Sequence, residues 1–179
     1  PVRLKSDWVG KTPPADAVLN IASREACDLN PLDVSNEATR LKTRSYVWPD
    51  QKERLARFDA AVELAVGTGV TVEKSSADVW LEWALQKRPA SGLTVVHHTV
   101  FFQYPPKAAQ EKMTMLIEEE GARATPDRPL AWLRFEPEVL WEQSKAGDMV
   151  LDVRIWPGDE HVVLAHADAH VRSVQSDFS

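Results

Sequence analysis

The segment Leu93–Phe102, LTVVHHTVFF, is a nearly continuous apolar run in which β-branched and aromatic residues dominate. That composition is typical of a strand buried on both faces, in the middle of a sheet covered by helices. We therefore predict that this segment is the central strand of the fold. Pro105 and Pro106 follow it and favour the start of a helix, because proline is tolerated in the first helical turn.

Strand and helix patterns alternate along the rest of the chain. Upstream, apolar runs predict strands at 18–23 and 70–73, and helical spacing predicts helices from residue 33 or 35 to about 47, from Pro49 to Gly67, and from residue 75 or 76 onward. Downstream, we predict a helix that ends at Gly121, a strand at 130–136, and a hairpin of 149–156, where apolar and polar residues alternate, with 162–171. This order predicts an α/β fold with a parallel sheet and an antiparallel β-hairpin at one edge.

Length and composition favour one globular domain. The 179 residues, of which 44% are hydrophobic and 27% charged, are sufficient for one ordinary core. We predict a single α/β domain over residues 1–179, in which the polar, proline-containing residues 1–17 form an irregular arm. Because the chain starts at Pro1, without a methionine or a signal-peptide pattern, we interpret it as the C-terminal part of a longer protein.

The charge balance and the single cysteine exclude several classes of protein. Lysine and arginine number 21 against 27 aspartate and glutamate residues, and no segment concentrates enough basic residues to follow a phosphate backbone. No apolar stretch approaches the roughly 20 residues that a membrane-spanning helix needs. Cys27 cannot form an internal disulfide, which fits the reducing cytoplasm. We therefore predict a cytoplasmic protein that binds neither nucleic acid nor membrane.

The residues that follow each predicted strand are the first site candidates, because open α/β sheets bind ligands beyond the carboxyl ends of their strands. Asp28, Asn30 and Asp33 follow the strand predicted at 18–23, and a carboxylate there could accept hydrogen bonds from ribose hydroxyls. The same residue types also build turns and cap helices. Both interpretations stay open at this point.

A second candidate lies where polar residues interrupt and end the predicted central strand, at His97-His98-Thr99 and Gln103-Tyr104. An imidazole in a buried strand loses solvation unless its ring is hydrogen-bonded. These histidines therefore either belong to a site or are satisfied by partners within the core. Strand alternation places His97 and His98 on opposite faces, so they cannot be adjacent ligands of one metal ion.

Other patterns do not indicate a site. His166, Asp168 and His170 alternate along the last predicted strand, but neighbouring ligands would lie about 6.5–7 Å apart by the strand rise. We expect a solvated edge strand there and no metal. The sequence contains neither a nucleophile elbow nor a glycine-rich phosphate loop. Helical and strand spacing predicts that the following tryptophans belong to the core: Trp80, Trp83, Trp132 and Trp156.

Short blocks spread in order over nearly the whole chain carry a family resemblance. They are 21–24 (IASR), 27–33 (CDLNPLD), 46–51 (YVWPDQ), 53–55 (ERL), 96–104 (VHHTVFFQY), 129–134 (PLAWLR), 156–158 (WPG) and 167–170 (ADAH). The chain resembles the C-terminal part of the bacterial domain of unknown function (DUF) family 2332, which is in turn similar to class I S-adenosylmethionine-dependent methyltransferases.

The resemblance implies a Rossmann-like, mostly parallel sheet flanked by helices and ending in the antiparallel hairpin. It also implies that S-adenosylmethionine, or a nucleotide-like ligand, could bind when the upstream segment is present. In that comparison Asp28 lies at the ribose, Asp78 near the adenine, and His97–Tyr104 near the methyl acceptor. The glycine-rich loop of those methyltransferases has no counterpart in this chain.

The resemblance and the strand-end residues together give a testable assignment. We predict that His98 and Tyr104 are catalytic, with His98 as the base if the methyl acceptor must lose a proton. The alternative is a non-catalytic interaction or structural domain without a cofactor, in which the same polar residues only close turns. The expected partner is an unknown small molecule, with a second copy in a homodimer as a further possibility. The residues predicted to bind the cofactor are Asp28, Asn30, Asp33, Asp78 and Gln103.

Overall fold

The computed structural model describes residues 2–13, 16–137 and 149–176 of the chain. The strands are β1 (Asp7–Val9), β2 (Cys27–Asp28), β3 (Glu73–Lys74), β4 (Thr94–Thr99), β5 (Leu130–Pro137), β6 (Met149–Trp156), β7 (Glu160–Ala167) and β8 (Ser173–Ser176). The helices are α1 (Glu37–Arg44), α2 (Lys52–Thr68), α3 (Ala77–Gln86) and α4 (Lys107–Ala122). None of the helices in these ranges is long and apolar enough to cross a bilayer.

The described residues belong to two compact units, one made of Pro1–Lys5 with Leu19–Ala77 and the other of Ser6–Val18 with Asp78–Ser179. In the first unit, β2 and β3 pair in parallel, and α1 and α2 follow β2 along the chain. The strand predicted at 18–23 was wrong, because those residues have no regular structure. An apolar run becomes a strand only where a second strand pairs with it, and here the pairing residues lie further along.

The start of α1 illustrates how local hydrogen bonds set a helix boundary. The Asn36 side chain accepts a hydrogen bond from the backbone N–H of Thr39 at 3.1 Å, which caps the helix. Asp33 and Ser35, which were the predicted caps, instead bond to each other just before the helix. The predicted helix is therefore confirmed, with its cap shifted to a neighbouring residue.

The helices α2 and α3 are confirmed with different details. α2 begins later than predicted and ends at Gly69, whose left-handed φ of 64° suits a residue without a side chain. In α3, Leu81 and Leu85 are buried, whereas Val79 and Trp83 are exposed. Of the two α3 tryptophans predicted to belong to the core, Trp80 is half-buried, and the prediction for Trp83 was wrong because the helix buries Leu81 and Leu85 instead.

A six-stranded sheet forms the centre of the second unit, with strand order β1-β8-β7-β6-β5-β4. β4 pairs with β5, and β1 with β8, in parallel, whereas the other three neighbouring pairs are antiparallel. The α/β class is confirmed, but the sheet is mixed and not the mostly parallel, Rossmann-like sheet that was predicted. The reason is connectivity, because α4 crosses from β4 to a parallel neighbour while a tight turn between β6 and β7 permits only an antiparallel pair.

The apolar run that ends at Phe102 forms an edge strand. Within it, β4 is the last strand of the sheet order and has β5 as its neighbour. Its side chains alternate between half-buried and exposed positions, and Val95 is 48% exposed. The prediction of a central strand buried on both faces was wrong, because a continuous apolar run also occurs in a strand that hides one face only.

The antiparallel hairpin of β6 and β7 is confirmed, but its predicted position at one edge of the sheet was wrong, because β8 and β1 continue the sheet beyond it. The strands predicted at 130–136 and 149–156 are β5 and β6, and residues 157–159 form the turn to β7. β8 then pairs antiparallel with β7. β1 lies within the segment expected to be irregular and adds a parallel strand beside β8.

The polar face of β6 lies under α4. Asp152 and Trp156 of this face are 1% and 5% exposed, while Ile155 on the other face is exposed. α4 packs on β5 and β6, and a Cβ atom placed on Gly121 would lie only 2.5 Å from the ring of Trp156. The helix can approach the sheet this closely because Gly121 has no side chain. The alternation predicted for β6 is therefore present, with its polar residues buried.

A small apolar cluster on the other face of the sheet joins β7 and β8 to β5 and β6. Ala165 and Ala167 of β7 and Val174 of β8 are buried in this cluster. Phe135 and Leu151, from β5 and β6, pack against them. The cluster thus fixes β7 and β8 to the two strands that carry the polar face.

We expect Gly121→Ala to destabilise the protein by about 1–3 kcal/mol, as is typical of an overpacked position, because the added methyl group would collide with Trp156. Gly67→Ala in α2 is the matched control. Nothing lies within 4 Å of its Cβ position, so the gain in helix propensity should stabilise the protein by about 0.5–1 kcal/mol. Urea unfolding measures both. A Gly121→Ala variant as stable as the wild type would mean that α4 does not pack against β6 in this way.

Candidate functional site

A cavity of about 550 Å³ opens on the α4 face of the sheet. We call it the Trp132 cavity. Its volume falls within the range of about 300–1,000 Å³ that is common for small-molecule sites. Its walls come from β4 to β7, from α4, and from the loops after β4 and β6: His98, Phe102, Thr114, Glu118, Trp132, Arg134, Glu136, Arg154, Asp159 and His161.

Two hydrogen bonds fix the ring of His98 in this cavity. The Oε1 atom of Glu136 lies 2.6 Å from Nδ1, and the indole N–H of Trp132 donates to Nε2 at 3.0 Å. Because an indole N–H can only donate, Nε2 must accept, and the ring proton is on Nδ1, where it is donated to Glu136. His98 is therefore a neutral, oriented imidazole whose Nε2 lone pair is engaged by Trp132.

The carboxylate of Glu136 is almost fully enclosed, with 1% of its side chain exposed. It accepts hydrogen bonds from the backbone N–H groups of Phe101 at 3.0 Å and Phe102 at 3.2 Å, in addition to the bond from His98. The preceding residue, Val100, has a left-handed φ of 48°, which is rare for a β-branched residue. This conformation turns the backbone N–H groups of Phe101 and Phe102 towards Glu136. Burial raises the pKa of Glu136, but the bonds from His98, Phe101 and Phe102 outweigh it and hold the pKa below its ordinary value.

Arg134 and Asp152 form a buried ion pair across β5 and β6. The two residues face each other in the strand register, and a pair of hydrogen bonds joins them, one of them between Nε and Oδ1 at 3.1 Å. His161 of β7 also contacts Asp152 through Nε2, and the guanidinium group of Arg134 lies over the ring of Trp132. Burying such charges requires that each has a partner, so this network holds the floor of the cavity in one arrangement.

Arg154 links the sheet to the helix above it. Its guanidinium group binds Asp159 through two hydrogen bonds, of 2.5 and 3.0 Å, and Glu118 of α4 through a third. The bonds to Asp159 raise the pKa of Arg154, and the same bonds lower the pKa of Asp159. The guanidinium group also lies over the ring of Trp156. One side chain thereby fixes the β6–β7 turn and the cavity side of α4.

His98 lies in the cavity, but the other site residues predicted for the second unit do not line it. Tyr104 is 73% exposed, and Gln103 is exposed in the same turn before α4. Asp78, in the first turn of α3, lies 3.8 Å from the ammonium group of Lys112. The polar residues at the end of β4 therefore separate into one that faces the cavity and two that face solvent.

The residues predicted to bind the ribose lie in the first unit. The Oδ1 atom of Asp28 accepts the backbone N–H of Asn30 at 2.7 Å, and that of Asp33 accepts the N–H of Ser35 at 2.9 Å. These bonds fit the turn interpretation that the sequence left open. The cofactor-binding role of Asp28, Asn30 and Asp33 stays a prediction.

His97 and Asp168, two further polar residues singled out in the sequence, lie outside the lining of the Trp132 cavity. His97 lies on the more exposed face of β4, opposite His98. Partial burial of its ring, and then the neighbouring His98, lower the pKa of His97. Asp168 lies beyond the end of β7, and hydrogen bonds from the backbone N–H groups of Ser173 and His170 lower its pKa to about 2. Within the ranges that the structure describes, no group of three or more histidine, cysteine, aspartate or glutamate side chains could hold a metal ion.

Most of the cavity residues were not predicted from the sequence. The prediction that Trp132 and Trp156 belong to the core is confirmed, and Trp132 lines the cavity as well. The usable signal was the period of two in β5, where Trp132, Arg134 and Glu136 share one face, opposite Asp152 and Arg154 of β6. An alternating charged face normally indicates a solvent-exposed surface. Only the packing of α4 over this face makes it a cavity.

A family model describing an uncharacterised protein conserved in bacteria, DUF2332, matches residues 1–175. The chain belongs to the DUF2332 family. The resemblance seen in the sequence blocks is therefore confirmed at the level of the family. No curated protein and no solved structure matches this DUF2332 chain significantly. The residues of the Trp132 cavity are therefore the best indication of a function.

The tautomer of His98 is directly testable by nitrogen-15 NMR. At pH 7 we expect the proton on Nδ1 and a non-protonated Nε2, because Nε2 accepts from Trp132. Trp132→Phe should shift the Nε2 resonance towards that of a ring nitrogen without a hydrogen-bond donor. Trp48→Phe, at an exposed tryptophan, should leave it unchanged. A wild-type ring protonated on Nε2 alone would contradict the hydrogen-bond assignment.

The lowered pKa of Glu136 predicts a pH-dependent contribution to stability. Folding favours its carboxylate, so this contribution is fully present above the unfolded pKa of about 4.3 and is lost as the pH falls through the lower, folded pKa. The loss of unfolding free energy in Glu136→Gln should therefore shrink as urea titrations move from pH 7 into that window. Glu63→Gln, at an exposed site, should show no such trend. A difference that is constant with pH would argue against this role of Glu136.

Proposed function

We propose that this DUF2332 domain binds a small organic cation in the Trp132 cavity. The observation that carries the proposal is an excess of carboxylates around a recess of ligand size. Charges fixed in a recess with low-dielectric walls attract the opposite charge more strongly than the same charges on an open surface. A small-molecule site is also where oriented, buried ionisable groups most often gather.

Three carboxylates and two guanidinium groups line the cavity, and a fourth carboxylate, that of Asp152, lies behind the lining and pairs with Arg134. Arg134 and Arg154 are each engaged by carboxylates, and His98 contributes no charge as the neutral tautomer. A cationic ligand would reduce the repulsion among the carboxylates, whereas an anion would add to it. The three lining carboxylates are those of Glu118, Glu136 and Asp159.

Two aromatic rings provide the apolar surface that an organic cation requires. The ring centroids of Phe102 and Trp132 lie 6.0 Å apart with their planes inclined by 60°, so the rings form a corner. Aromatic rings attract cations through the negative charge of their faces. Thr114 and Glu118 of α4 supply a hydroxyl and a carboxylate to the same cavity.

S-adenosylmethionine is the first candidate ligand, because it carries a sulfonium and an ammonium group and because the family resemblance points to methyltransferases. When bound, it supplies a methyl group on a positively charged sulfur. Glu118 and the ring of Phe102 would hold its cationic part, because the ring of Trp132 is almost fully buried and already contacts Arg134. For His98 to remove a proton from an acceptor, its Nε2 atom must first part from the indole of Trp132. A role of His98 as base thus requires Trp132 to move.

Several assignments from the sequence belong to this proposal. Tyr104 is proposed to take part in catalysis, and a homodimer in the cytoplasm is proposed as the working state. Light scattering of the purified chain tests the dimer, and a fluorescent fusion in bacterial cells tests the location. The residues proposed for the cofactor outside the cavity lining are Asp28, Asn30, Asp33, Asp78 and Gln103.

Titration calorimetry and NMR with three probes test the proposal: S-adenosylmethionine, the uncharged thioether S-adenosylhomocysteine, and butylammonium. We expect S-adenosylmethionine to bind more tightly than the thioether, because only the sulfonium gains from the carboxylates. Butylammonium should shift the indole resonance of Trp132. Glu118→Gln should weaken both cations by about twofold to fivefold, as expected for one solvent-accessible charge pair.

Each outcome of these titrations separates the alternatives. Glu63→Gln, a matched change of one exposed glutamate, should leave all affinities unchanged. If butylammonium binds and S-adenosylmethionine does not, the cation site stands and the proposed methyl transfer is rejected. If neither cation binds, the proposal fails, and the non-catalytic interaction domain becomes the better interpretation.

A further inference from the structure

A second cavity, of about 390 Å³, adjoins the Trp132 cavity along α4. We call it the Met115 cavity. The two cavities share three lining residues, Phe102, Thr114 and Glu118. A single molecule that reaches past these three side chains would therefore occupy both cavities.

The Met115 cavity differs from its neighbour in chemistry. Its apolar lining consists of Met115, which is 49% exposed on α4, and of Phe102 at the junction. Beside the shared Thr114 and Glu118, its polar lining also comes from α4: Lys107, Gln110, Glu111 and Glu119. No buried ion pair lies among its described lining residues, since the pair Lys107 with Glu111 is largely exposed and 3.7 Å apart. The floor of the Trp132 cavity, in contrast, is held by the buried pair of Arg134 with Asp152.

Glu118 stands at the boundary between the two cavities. One carboxylate oxygen accepts a hydrogen bond from Arg154, which keeps the side chain on the cavity side of α4. An ammonium group placed beside this carboxylate would have the aromatic corner of Phe102 and Trp132 on one side. An alkyl chain attached to it would extend over Phe102 and Met115.

We infer that the two cavities form one elongated site, and that its ligand class is an organic ammonium ion with an apolar chain. This inference rests on the proposed function and adds the shape and the apolar end of the ligand. The charged end lies beside Glu118, in the direction of the Trp132 cavity. The chain lies along α4, where Met115 and Phe102 remove its methylene groups from water.

The full chain titrated with ethyl-, butyl- and hexylammonium, followed by the indole resonance of Trp132, tests this inference. We expect the affinity to rise by roughly twofold to fourfold for each methylene added, the upper figure being that of a fully buried methylene. Met115→Ala should flatten this dependence, because the added methylene groups lose their apolar partner on α4. Met115→Leu should preserve the dependence, since it retains an apolar side chain of similar volume.

The outcomes distinguish this inference from the proposed function. If no ammonium ion binds, the cation site itself fails. If all three bind with the same affinity, the cation site stands and the elongated site is overturned. An unchanged dependence in Met115→Ala, with circular dichroism showing a folded variant, would also overturn it. Leu64→Ala, a truncation at an exposed apolar residue of α2, should change none of these affinities.

Discussion

Burial of the Glu136 carboxylate is the constraint on which the rest of the site depends. A charge so enclosed needs compensation from every side, because water no longer provides it. The compensation comes from His98 and from the backbone of Phe101 and Phe102, and it explains the left-handed backbone at Val100. Satisfying one carboxylate thus determines the orientation of an imidazole and the path of the chain after β4.

The same logic extends across the face of the sheet that α4 covers. Because this face carries charged side chains, α4 can cover it only where each charge has a partner, as in the pairs Arg134–Asp152 and Arg154–Asp159. Close approach of the helix further requires Gly121 against Trp156. Groups that are held by mutual hydrogen bonds and packing keep their positions before a ligand arrives, which favours binding. Burial of this polar face therefore costs the fold more free energy than burial of an apolar face would, and the same face is the best candidate for a binding site.

Predictions from the sequence succeeded where the deciding interactions are local. The helices and the β6–β7 hairpin depend on spacing, capping and turn residues within a few positions, and all are present. The predictions failed where a distant partner decides. The run at 93–102 is as apolar as a central strand, yet β4 is at the edge of the sheet. His98 was identified because a histidine in an apolar strand is conspicuous, whereas no pattern in the sequence distinguished Glu136 from the other glutamates.

The amino-acid sequence alone determined the α/β class, the positions of β5, β6 and the helices, and membership of the DUF2332 family. These properties follow from periodicity and from short motifs, which can be recognised without knowing which residues are in contact in the folded chain. Tertiary structure alone decided the mixed strand order, the edge position of β4 and the cavity under α4. Alternation along a strand states that its two faces differ, but only the packing of other elements determines which face is removed from water.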